Sequence, residues 1–233
     1  MGKYFGEELS EQHKSLSILI HKTDSWQEAQ ALFLDLHGKL HCGLVTGSAN
    51  NSVDELLEDL SPQEYSIMVD CKAETIAWVL WHLARIEDLT MAILVKEGSQ
   101  LFNAQWLTKL NSPIIDTANS LNDDEIINLS KKLNKKELIN YRNAVGKQTQ
   151  TIVGSLKTDD LGRKVSPVGI QQIRKSGGVS EDENSLWLLD YWGKKDVAGL
   201  LLMPPTRHLL MHLNDAARWK QQLRSGKKPF RTQ

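Results

Sequence analysis

With 233 residues, 40% of them hydrophobic and 24% charged, the chain can bury a sizeable core and reads as a single domain, 1–233. Its 28 basic and 29 acidic side chains leave a formal charge of −1, which gives no reason to expect nucleic acid or an anionic membrane as partner. The longest apolar run, Val197 to Met203, is too short to span a bilayer, and the first residues carry no signal-peptide stretch. Two cysteines, Cys42 and Cys71, cannot build a disulfide framework, so the expectation is a cytoplasmic protein.

Residues 1–22 form an N-terminal extension whose weak pattern (Leu9, Leu16, Leu19, Ile20) predicts a short leading helix. Asp24-Ser25 caps a stronger one from Trp26 to about Val45, with Ala29, Leu32, Phe33, Leu36, Leu40 and Leu44 as one stripe. Ser52-Val-Asp-Glu55 and Ser61-Pro-Gln-Glu64 read as capping boxes, each followed by a short helix. The most apolar helical segment is Thr75 to Leu94, interrupted only by Arg85, Glu87 and Asp88. Trp78, His82, Ile86 and Leu89 share a face of it, and such a helix belongs inside a bundle. A short helical piece is expected around Trp106, and Asn122-Asp-Asp-Glu125 gives a further cap signature. Asn134-Lys-Lys-Glu137 opens a helix to about Leu156, with Leu138, Tyr141, Val145, Thr149 and Ile152 inward. Gly162 to Ser180 reads as connection with one helical turn at Ile170–Ile173, and a short helix covers Glu183 to Tyr191. Pro204-Pro205 then starts a helix that ends near Arg224, and residues 225–233 form a flexible basic tail. No segment alternates with period two. Four long helices plus short ones in the connections predict an all-α four-helix bundle.

His208 and His212 stand four apart on the last helix, so both rings lie on one face and can chelate one ion. A catalytic site of zinc type needs three protein ligands and one open position. His82, on the apolar face of its helix, is either a core histidine bonded to a neighbour or the third ligand. His37 and His41 repeat the H-x-x-x-H spacing where their helix is ending. A place beside the site or on a pocket wall suits one of them better than ligation. His13 and His21 lie in polar, exposed surroundings. There is no G-x-S-x-G elbow, no G-x-G-x-x-G, no P-loop and no H-E-x-x-H.

Thr75-Ile-Ala-Trp-Val-Leu-Trp-His-Leu-Ala-Arg-Ile-Glu-Asp88 resembles the second-helix signature of the DinB-like (YfiT-like) metalloprotein superfamily. Arg207-His-Leu-Leu-Met-His-Leu-Asn-Asp215 resembles its fourth-helix H-x-x-x-H. The resemblance runs from about Trp26 to Lys220. It implies an up-down-down-up four-helix bundle, often a homodimer. It also implies a divalent metal, commonly zinc or nickel, on His82, His208 and His212. Some relatives are transferases or isomerases dependent on a low-molecular-weight thiol such as bacillithiol, mycothiol or glutathione. This chain carries more sequence before the fourth helix than compact members do, so substrate contacts do not carry over.

Three imidazoles leave an ion's full charge at its open position, where a thiol or water loses its proton readily. The expected function is a metal-dependent thiol S-transferase acting on a small-molecule substrate. A metal-dependent hydrolase and a non-catalytic stress-related binding or sensor protein are the alternatives. Asp215 is a candidate to orient a ligand ring, Arg85 to hold an anionic substrate group, and Tyr141 to donate a hydrogen bond. Surface ion pairing explains Arg85 and Asp88 equally well.

Overall fold

The computed structural model of the chain describes residues 5–70, 73–226 and 228–230. It is all-α, with no strand among the described residues.

The leading segment is a full helix, α1 (Gly6–Leu19), packed against α2 (Trp26–Lys39). The expected helix to Val45 stops six residues early. Carbonyls at its end are taken by donors from elsewhere: Asn51 Nδ2 bonds the carbonyls of Gly38 and His41, and Arg142 Nη2 bonds that of Leu40. These tertiary donors take the place of another helical turn. A 3-10 turn, Gly43–Val45, follows, and Leu44 is exposed rather than part of the apolar stripe.

Asn51 also caps α3 (Ser52–Glu58) in a reciprocal box with Asp54, one residue earlier than the Ser52 pattern predicts. The Ser61/Glu64 pair forms its two bonds at a 3-10 turn, Glu64–Ser66. The central helix, α4 (Ile76–Asp88), starts where Thr75 Oγ1 accepts from the Trp78 N–H, and every residue in it is buried. It continues as a π-helical segment, Leu89–Val95. At the junction the Thr90 hydroxyl donates to the Ile86 carbonyl, in competition with the regular backbone ladder.

Helices α5 (Ala104–Leu110) and α6 (Asp123–Lys132) start on the caps Asn103 and Asn122. Helix α7 (Lys135–Ser155) starts on Asn134 and buries Leu138, Tyr141, Val145, Thr149 and Ile152. The stretch read as connection holds a nine-residue helix, α8 (Pro167–Lys175), and α9 (Glu183–Gly193) follows.

The last long helix does not begin at Pro204. Chain enters through α10 (Val197–Leu201) and a π segment, Met203–His208, before α11 (Leu209–Arg224). Pro204 and Pro205 have no N–H to offer the preceding turn, so the regular ladder fails there. Thr206 Oγ1 bonds the Leu201 carbonyl that a residue with an N–H at 205 would have used. Contacts of α2 with α7, α7 with α4, α4 with α11, and the π segment with α2 close a ring of four helices around the core.

Helix α1 is tied to the last of them: His13 Nε2 bonds the Leu202 carbonyl at 2.8 Å, and the Phe5 N–H bonds Asn214 Oδ1 at 3.2 Å. His13 is therefore buried, against the expectation of an exposed ring, while His21 is exposed. In the tail, Arg224 pairs with Asp59, and Lys227 and Arg231 lie outside the described residues, as does Cys71. Among the described residues no helix is long and apolar enough to cross a membrane.

Candidate metal centre

Four carbonyls in a row fix the working face of α4. Arg85 Nε donates to Ile115, Trp81 Nε1 to Asp116, His82 Nδ1 to Thr117 and Trp78 Nε1 to Ala118, at 2.7 to 3.0 Å. Residues 115–118 thus run along α4 like a strap. Asp116 Oδ1 accepts from the Ala118 N–H, which holds Ala118 in the left-handed region at φ 61°. The bond to Thr117 assigns the His82 proton to Nδ1 and leaves Nε2 as a lone pair.

His208 and His212 face His82 from the π segment and α11. The ring centroids are 5.0 Å (His82–His208), 5.4 Å (His82–His212) and 4.7 Å (His208–His212) apart. One nitrogen from each ring lies within 4.8 Å of the other two. Trp78 stacks on His82 at 4.4 Å and meets His212 edge-on, so it fixes both rings.

Burial pushes His82 down to about 3, with the neighbouring His212 adding to the effect. His208 is held well below its ordinary range by burial and the other two rings, and burial lowers His212 as well. All three are neutral at pH 7, the state in which imidazole binds a metal. The Nδ1 atoms of His208 and His212 are buried without a hydrogen-bond partner. Orphaned buried nitrogens cost free energy unless something bonds them, and three neutral imidazoles with such orphans fit a divalent metal ion.

The rings open on a cavity of about 500 Å³, within the size range of small-molecule sites. Trp187, Tyr191 and Trp192 from α9 form its opposite wall, with Leu188, Met203 and Glu74 at its edges. Spacing alone gave no hint that α9 covers the site; its tryptophans and tyrosine were the available signal.

The other candidates lie elsewhere. Arg85 is fully buried, and its guanidinium is occupied by Ile115, Asp88, Tyr141 and Gln100. Tyr141 donates to Asp88 Oδ2 at 2.6 Å and accepts from Arg85. Asp88 also accepts from the N–H groups of Leu101 and Phe102. The pairing of Arg85 and Asp88 is thus interior, not a surface ion pair. Neither Arg85 nor Tyr141 lines the cavity. Asp215 pairs with Arg218 and makes no hydrogen bond to His208 or His212.

A second group of donors sits inside the bundle. His37 Nε2 and His41 Nε2 bond the two oxygens of Glu87 at 2.9 and 3.1 Å, and all three side chains are fully buried. Gln150 Nε2 bonds both the Leu34 carbonyl and His37 Nδ1, which places the His37 proton on Nε2, facing Glu87. Burial pushes His41 down to about 3. Burial opposes ionisation of Glu87, but its two imidazole partners outweigh that and keep it below the usual carboxylate range. Neither histidine lines the cavity. Glu87, five residues beyond His82, is the partner that sequence reasoning missed; a buried carboxylate in a largely apolar helix was the signal.

No curated protein matches the chain. A crystal structure of a conserved protein from Enterococcus faecalis resembles it with a TM-score of 0.54 at 18% identity, covering 86% of this chain and 97% of that one. This likeness concerns the fold. The family model of the DinB superfamily matches residues 48–216, a span that holds His82, His208, His212 and Glu87 and omits His37 and His41. The chain belongs to the DinB superfamily.

Proposed function

We propose that this protein is a metal-dependent thiol S-transferase, with His82, His208 and His212 holding a zinc or nickel ion on the wall of the cavity. The observation that carries the reading is the convergence of three neutral imidazoles, two with orphaned Nδ1 atoms, on a cavity large enough for a small molecule. A divalent ion on three imidazoles supplies Lewis acidity that lowers the pKa of a thiol or water bound beside it.

The chain's own contribution is position and exclusion of water. The Thr117 carbonyl and the Trp78 ring hold His82 in one tautomer and one orientation. Trp187, Tyr191 and Trp192 offer an aromatic wall for the electrophile. The attacking thiol comes from outside, a low-molecular-weight thiol such as bacillithiol. Cys42 is buried, its thiol is pushed up by burial, and it does not line the cavity. In this reading the protein is cytoplasmic and homodimeric, and mass measurement in solution tests the second point.

The test is turnover of a halonitroarene with bacillithiol or glutathione by the metal-loaded protein. Saturable transfer that falls at least about 100-fold in His82→Ala and His212→Ala supports the proposal. Equal rates with loaded and metal-free protein overturn it. Ester hydrolysis without thiol favours the hydrolase reading instead, and metal-dependent melting without turnover favours the sensor.

A further inference from the structure

Among the described residues, one carboxylate lines the cavity beside the neutral histidines. Glu74 is half-buried just ahead of α4. It forms neither an ion pair nor a hydrogen bond with another described residue. Burial raises its carboxyl above the ordinary range, and Asp215, Asp123 and Asp70 push in the same direction. Among the described residues, no lysine or arginine lines the cavity to balance it.

Aromatic faces stand in the same space. Trp78 lies in the first turn of α4, four residues beyond Glu74, and Trp187 and Trp192 come from α9. Trp187 is 51% exposed and lines the cavity. Tyr191 of this wall already makes a cation–π contact with Lys195 at 4.4 Å, outside the cavity lining. A carboxylate among indole faces attracts organic cations, through charge on one side and the ring quadrupoles on the other. An ion on the three histidines repels a second cation at the floor, so the positive group belongs at the mouth.

We propose that the cavity selects a small molecule carrying an organic ammonium group, seated between Glu74 and the indoles of Trp187 and Trp78, with its reactive end toward the histidines. This rests on the proposed function only for what happens at the reactive end; recognition of the cation needs neither metal nor thiol.

The test uses the full chain, metal-loaded and metal-free, and tryptophan fluorescence with calorimetry as the readout. The probes are benzyltrimethylammonium and neopentylbenzene, its neutral carbon isostere. The expected result is a preference for the cation of about tenfold or more, present in both metal states, since a cation–π contact plus a carboxylate amounts to at least about 1.4 kcal/mol. Glu74→Gln removes the preference and leaves the isostere's affinity unchanged. Trp187→Leu weakens the cation several-fold in a protein whose Glu74 is intact. Equal affinities for the two probes, or a preference that survives Glu74→Gln, overturn the proposal. A cation preference in a protein that retains no metal would sink the proposed function and leave this inference standing.

Discussion

His37 and His41 stand four apart at the end of α2, and His208 and His212 stand four apart where the π segment meets α11. The first pair closes on Glu87: both rings donate to it, Gln150 donates to the remaining nitrogen of His37, only His41 Nδ1 is left without a partner, and neither ring lines the cavity. The second pair is open: neither ring hydrogen-bonds a described residue, and both face about 500 Å³ of space beside His82. The same spacing thus serves two ends. A buried polar cluster with most of its bonds made ties helices together, and one whose rings bond no neighbour is a candidate site for a ligand. What separates them is the carboxylate, present within reach of one pair and absent from the other.

If that contrast is right, the closed cluster should matter most for stability. Glu87→Ala leaves two N–H groups facing a void and should cost about 3–5 kcal/mol in urea unfolding, as loss of one partner from a buried polar pair does. A loss under about 1 kcal/mol would mean that the cluster is not a structural tie. Next in size is Gly146 on α7, where an added Cβ would stand 2.6 Å from His41 Nδ1. Gly146→Ala is expected to cost about 1–3 kcal/mol by overpacking, with metal content unchanged.

A pH series sharpens the contrast further. His41 is held at about 3 when folded against 6.5 unfolded, so between those values the unfolded chain binds a proton that the folded chain does not. Its contribution is present above pH 6.5 and is lost on acidification through that window, at about 1.4 kcal/mol per pH unit. Glu87, held low, adds a loss of the same sign below its ordinary 4.5. His41→Gln, which keeps a donor toward Glu87, should lower the slope of stability against pH by about one proton. An unchanged slope would contradict the burial of a neutral ring. The smallest effect belongs to the open cluster: in metal-free protein, His208→Ala should change stability by less than about 1 kcal/mol, or raise it, because an orphaned nitrogen is removed.

The four long helices were legible because their apolar stripes and caps agree with their packing. Asn122 and Asn134 cap the helices that the cap signatures predict, and α4 is buried on every side as its composition implies. Three features were not legible, each for a tertiary reason. Helix α2 ends early because Asn51 and Arg142, distant in sequence, take its last carbonyls. His208 sits at a π junction because two prolines withdraw their N–H groups, an effect that Thr206 completes from the side. His13 is buried because α1 leans on the Leu202 carbonyl, a contact that no periodicity encodes. At the site, the three histidines could be named from spacing and resemblance. The strap at 115–118 and the α9 wall depend on chain crossings that a one-dimensional pattern does not carry.

Elemental analysis of the purified protein, beside its His82→Ala, His212→Ala and His37→Asn variants, tests the contrast most directly. The account predicts about one divalent ion per chain in the parent and in His37→Asn, and a loss of at least about tenfold in affinity when either cavity histidine is removed. Full metal content in His82→Ala and His212→Ala, or its loss in His37→Asn alone, would place the ion in the closed cluster and contradict the account.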